Sequence, residues 1–176
     1  DQGELGANPI AVAENQLGLI ALVFLISSLV CTPARMILGW SWLAPLRREL
    51  GLFAFFYALL HFLAYLVLDL YFDWLTIAGD VAQRPFITVG FAALVLMVPL
   101  AITSTNDWVR RLGFKRWQNL HRLVYLAGIL AVVHFLWRVK IDLSQPLTYA
   151  AILAVLLGAR VLLWARSRER ARERAR

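Results

Sequence analysis

Cysteine is almost absent: the 176 residues contain only Cys31, which lies inside an apolar run. That excludes an intrachain disulfide, a four-cysteine iron–sulfur site and a CxxCH covalent attachment motif. Charge is scarce as well, at 16% of residues. The long apolar runs hold no interior carboxylates, since Glu49 and Asp69 stand at predicted helix ends; a transmembrane proton path often uses such groups. The pattern of a secretory signal is missing too: no basic head leads into a short apolar core and a small-residue cleavage site. The chain begins with Asp1 rather than Met, which reads as a processed or trimmed product. No Ser/His/Asp set, phosphate-binding glycine loop, metal-hydrolase motif, internal repeat or second soluble domain is present.

Apolar residues, by contrast, make up 61% of the chain, and its mean hydropathy is +0.67. Soluble domains are nearer half apolar, so the composition is that of a membrane protein. The net charge of +7 does not indicate nucleic acid binding. The basic residues fall between the apolar runs and at the C-terminus, where they set topology.

A helix needs about 20 apolar residues to cross roughly 30 Å of hydrocarbon. Five segments meet or approach that length: Gln16 to Thr32, ending at Pro33; Glu49 to Leu70; Pro85 to Thr103, with a kink expected at Pro99; Trp117 to Trp137; and Pro146 to Trp164. The expected fold is therefore all-α, a polytopic helical bundle with five spans. Arg35, Arg47 and Arg48 follow the first span, Arg110, Arg111, Lys115 and Arg116 precede the fourth, and Arg166 to Arg176 follow the fifth. The alternate connections carry Asp1, Glu4, Glu14, Asp69, Asp73 and Asp80 against few bases. By the positive-inside rule the C-terminus is cytoplasmic. Trp40, Trp42, Trp74, Trp108, Trp117, Trp137 and Trp164 lie near span ends, as an interfacial belt requires.

The three histidines all lie in apolar segments: His61 in the second span, His121 and His134 in the fourth. Those two spans are separated by one other, so they run parallel. A histidine within the membrane needs a partner. A neighbouring hydroxyl or carbonyl could serve, but three on two parallel helices point to metal ligation, and neutral imidazole is a good axial ligand for haem iron. Ala58, Ala64 and Ala131, each three residues from a histidine, would leave room for a flat macrocycle. His121 and His134 are separated by about 19.5 Å of axial rise and about 140° around an ideal helix. Both face one seam only if the helix is distorted, for example near Gly128, or if two haems occupy different flanks. His61 is expected near mid-membrane, a depth that does not select its partner.

Together these stretches resemble the MsrQ (YedZ) family of the ferric-reductase-like transmembrane superfamily. The resemblance rests on TPAR (Thr32 to Arg35), RRELG with LLHFLAY, RPFITVG (Arg84 to Gly90), TSTN (Thr103 to Asn106), and LGFKRWQNLHRLVY with HFLWRVK. It implies a transmembrane haem domain over residues 1–166 and a basic cytoplasmic tail over 167–176. Family members usually have six spans, which implies one more N-terminal span than is seen here. It further implies a b-type cytochrome of the bacterial inner membrane, with one or two haems. Electrons would come from the quinone pool or a cytoplasmic flavin reductase and pass to the periplasmic molybdopterin enzyme MsrP, which reduces methionine sulfoxide. FMN is associated with the family as well, although no stretch here reads as a flavin motif. By the superfamily pattern His61 and His134 bind the outer haem and His121 an inner one. The fourth histidine position falls at Arg47 or Arg48, which would approach the inner iron, pair its propionates, or only mark the cytoplasmic boundary. Substrate chemistry would occur in the partner. Two other readings remain: the membrane core of a ferric reductase or NADPH oxidase, and a non-redox subunit using the histidines as a proton relay.

Overall fold

The computed structural model describes residues 9–69 and 71–173. Asp1, Glu4, Leu70, Arg174 and Arg176, used above for topology or span ends, lie outside them. The fold is an all-α bundle: α1 (Pro9–Leu38), α2 (Leu43–Ala64) extended by a π-helical turn (Tyr65–Asp69), α3 (Trp74–Gln83), α4 (Pro85–Ile102), α5 (Asn106–Leu112), α6 (Phe114–Leu120), α7 (Leu123–Arg138) and α8 (Ser144–Glu173). Five stretches are long and apolar enough to span a bilayer: α1, α2 with its π turn, α4, α6 together with α7, and α8. The chain is a multi-pass membrane protein.

The main packing is pairwise, α1 along α2 and α4 along α7, with α8 against α7 and α1. Leu25, Ala54, Met97 and Ala127 form one buried cluster that joins all four paired helices. Ala54 and Ala127 are fully buried, and their small side chains let the backbones come close. Leu22, Ile26, Leu29, Val132 and Leu153 form a second cluster, which brings in α8.

The first span does not end at Pro33. Helix α1 continues through that proline to Leu38. Proline has no N–H to offer the carbonyl four residues earlier, which here belongs to Leu29. Arg160 of α8 supplies the missing donor, its Nη2 lying 2.7 Å from Leu29 O. The same guanidinium donates to the Tyr125 hydroxyl and lies over that ring, 4.9 Å from its centroid. A freed carbonyl inside the bilayer needs such a partner. Arg160→Met should therefore destabilise the fold by about 1–3 kcal/mol, read as a lower unfolding temperature in detergent, with Arg160→Lys intermediate.

The second span also differs, beginning at Leu43 instead of Glu49. Arg47 and Arg48 are thus inside the helix, and His61 lies close to its far end rather than midway. The third matches within a residue. The fourth is interrupted at His121–Arg122, where hydrogen bonds tighten to the i−3 carbonyl, as in Arg122 N to Asn119 O at 3.2 Å and Tyr125 N to Arg122 O at 3.0 Å. At Gly128 α7 is continuous, and that glycine packs on Leu153 and Leu29. The fifth starts at Ser144 and stays helical through the basic stretch to Glu173. Between α5 and α6 the chain turns at Gly113, whose φ of 75° suits a residue without Cβ.

Candidate metal centre

Each of the two helix pairs contributes one imidazole, held in the same way. His61 on α2 lies against α1, with Nδ1 2.9 Å from the Glu14 carbonyl. His134 on α7 lies against α4, with Nδ1 2.7 Å from the Phe86 carbonyl. A carbonyl only accepts, so Nδ1 carries the proton in both rings, and Nε2 is left with the lone pair. That is the usual outer contact of a metal-binding histidine: the distal N–H is tied to a carbonyl, which fixes tautomer and ring orientation.

Glycine makes both contacts possible. Gly18 follows Glu14 by one helical turn, and Gly90 follows Phe86 by one turn. A Cβ on Gly18 would stand 3.2 Å from the His61 ring, and one on Gly90 only 2.5 Å from His134 Nδ1. Each imidazole therefore rests on bare helix backbone and reaches the carbonyl of the turn below.

The two ring centroids are 6.1 Å apart, with the planes at 76°. Two imidazoles on opposite sides of one metal ion, each bonded at about 2 Å, put their ring centres roughly 6 Å apart. The pair thus fits a single ion held between α2 and α7. Among the described residues no cluster of three or more His, Cys, Asp or Glu side chains accompanies it. Both rings line a cavity of about 890 Å³, together with Ala54, Ala58, Leu94, Met97 and Ala131. Ala58 and Ala131, expected from spacing to make room, do line it; Ala64 is buried elsewhere. The volume lies within the ordinary range for cofactor pockets, about 300–1,000 Å³.

His121 is not part of this arrangement. Its Nε2 lies 3.0 Å from Thr103 Oγ1, and that hydroxyl donates to Pro99 O at 2.6 Å, so the imidazole is the donor. Trp117 stacks on it at 4.0 Å and donates its indole N–H to Thr103 O at 2.9 Å. These contacts tie α6 to the end of α4 and account for the helix break. His121, Arg47 and Arg48 all line a second cavity of about 270 Å³. Arg48 donates to Asn106 Oδ1 at 3.2 Å. This cavity has less than a third the volume of the first, and the His121 Nε2 beside it is already engaged by Thr103. Leu25 and Met97 line both cavities and form the wall between them.

Residues 13–132 match the family model described as ferric reductase like transmembrane component. A relative from Rhodospirillum rubrum is 53% identical over 170 residues, covering 97% of this chain and 82% of the relative. The chain belongs to the MsrQ family. A second relative, from Herminiimonas arsenicoxydans, is 53% identical over 164 residues, or 92% of this chain and 75% of its own. A third, from Xanthomonas euvesicatoria pv. vesicatoria, is 54% identical over 157 residues, or 89% and 72%. All three MsrQ relatives are named as the heme-binding subunit of protein-methionine-sulfoxide reductase.

The motifs that carry the MsrQ resemblance now have physical roles. RPFITVG supplies both the Phe86 carbonyl and Gly90. TSTN supplies Thr103, the Thr105 cap of α5 and Asn106. Gly18 and Arg160 escaped the reading of the sequence, and Gly90 and Thr103 entered it only as ends of motifs without a role, because their partners are backbone groups or lie on distant helices.

Proposed function

We propose that this chain is an electron-carrying cytochrome subunit. It holds one b-type haem between His61 and His134 and serves a protein-methionine-sulfoxide reductase. The observation that carries the reading is the imidazole pair at 6.1 Å, each ring tied through Nδ1 to a carbonyl. The relatives named as heme-binding subunits support it. When bound, the haem supplies one-electron Fe(III)/Fe(II) cycling. The chain contributes two fixed neutral ligands, an apolar wall that excludes water, and a frame of four helices that holds the pair at one separation.

In the same reading the protein spans the bacterial inner membrane with its C-terminus cytoplasmic and the basic stretch 167–176 on that surface. Electrons come from the quinone pool or a cytoplasmic flavin reductase and leave toward the periplasmic molybdopterin reductase MsrP, where methionine sulfoxide is reduced. FMN has no assigned residue here.

The test is a reduced-minus-oxidised spectrum of the purified protein, with the haem-to-chain ratio. A b-type spectrum at one haem per chain is expected. A colourless protein that stays folded overturns the reading in favour of a non-redox subunit, and reduction by NADPH alone would favour an oxidase-type core. For His121→Ala the expected outcome is an unchanged spectrum and ratio, since its partners are Thr103 and Trp117. Loss of half the haem would instead place a second one at His121, Arg47 and Arg48.

A further inference from the structure

The cavity between His61 and His134 is polar at one end only. Toward α5 and α6 its wall is Ala54, Leu94 and Met97, while toward α3 it meets Asn15, Gln16, Arg84, Arg138 and Gln145. Arg138 is one helical turn beyond His134 and therefore on the same face of α7. It is half-buried at the end of its helix. Among the described residues no carboxylate lies within ion-pair distance of it. Arg84 has a partner, Asp80 at 3.4 Å, and its side chain is more exposed. Two acids, Glu14 and Asp142, line the same end. Asp142 is held below the usual carboxylate range by the Ser144 N–H at 2.9 Å, so it stays charged there.

A guanidinium at a cavity mouth between apolar walls favours an anionic ligand group, because charge-assisted and bidentate bonds to carboxylates are the strong ones. The acids at the same end would repel such a group if no cation offset them. We propose that Arg138, seconded by Arg84, holds the acidic edge of the porphyrin, so that it enters in one orientation with its carboxylates toward α3. This rests on the haem reading above. The orientation puts the carboxylate edge of the macrocycle at the α3 end of the bundle and its apolar edge against Leu94 and Met97. A positive charge at that edge also stabilises the reduced iron.

The experiment compares haem with its dimethyl ester, which lacks both negative charges, on the haem-depleted protein in detergent. Wild type should prefer the free acid by about tenfold or more, as one or two charge-assisted bonds imply. Arg138→Gln should lose most of that preference and show a lower midpoint potential in a redox titration, while Arg138→Lys keeps part of both. Equal binding of acid and ester by wild type overturns the inference and leaves the haem reading standing. Full preference with an unchanged potential in Arg138→Gln also overturns it. Binding of neither porphyrin overturns the haem reading and this one with it. If Arg138→Gln does not fold, the wild-type comparison alone decides.

Discussion

Replacing His134 or His61 by alanine should remove the b-type spectrum while the protein remains helical. In the proposed reading each imidazole supplies one of the two protein ligands, and among the described residues no third His, Cys, Asp or Glu joins the pair as a metal cluster. The fold should survive, since the Phe86 and Glu14 carbonyls are internal to α4 and α1 and keep their own helical bonds. Circular dichroism and the elution volume in detergent check that part. A sharper control is His134→Met. Thioether sulfur also ligates haem iron and raises its potential, so this variant should regain a haem spectrum at a higher midpoint. A histidine that merely braced α7 against α4 would not be rescued in colour by methionine. A full spectrum retained in both alanine variants would remove the assignment.

The five spans were legible because a bilayer demands length, and runs of about 20 apolar residues are hard to mistake. Their ends were less so. Pro33 reads locally as a stop, yet α1 passes through it because Arg160, 131 residues away, donates to the carbonyl that the proline frees. Arg47 and Arg48 read as the water boundary before the second span, whereas α2 has already begun at Leu43. That shift moves His61 toward the α3 end, to the depth of His134. The fourth span is interrupted at His121, where Thr103 and Trp117 capture the ring, and not at Gly128. Imidazoles announce themselves by side-chain chemistry. The backbone carbonyls that orient them do not, because every residue has one and only packing selects which is used.

Gly90→Ala should be the most damaging substitution at a residue with no side chain of its own to lose. A methyl group there would stand 2.5 Å from His134 Nδ1 and 2.8 Å from Cε1, well inside contact distance. Helix α4 cannot yield locally without breaking its own ladder, so the imidazole must swing away from Phe86 O. The ring then loses the bond that fixes its tautomer and the position that sets it 6.1 Å from His61. Losing such an outer contact typically lowers metal affinity by about 10–100-fold, and the displaced ring adds to that. Gly18→Ala gives the internal comparison. Its new Cβ would stand 3.2 Å from the His61 ring, a gap that a few tenths of an ångström of movement relieves. Haem titration should therefore rank the affinities as wild type, then Gly18→Ala, then Gly90→Ala, and in the last the haem should wash out during purification. The reverse order, or equal losses, would mean that close approach to bare backbone is not what holds these imidazoles, and that the two helix pairs do not grip their histidines by a common device.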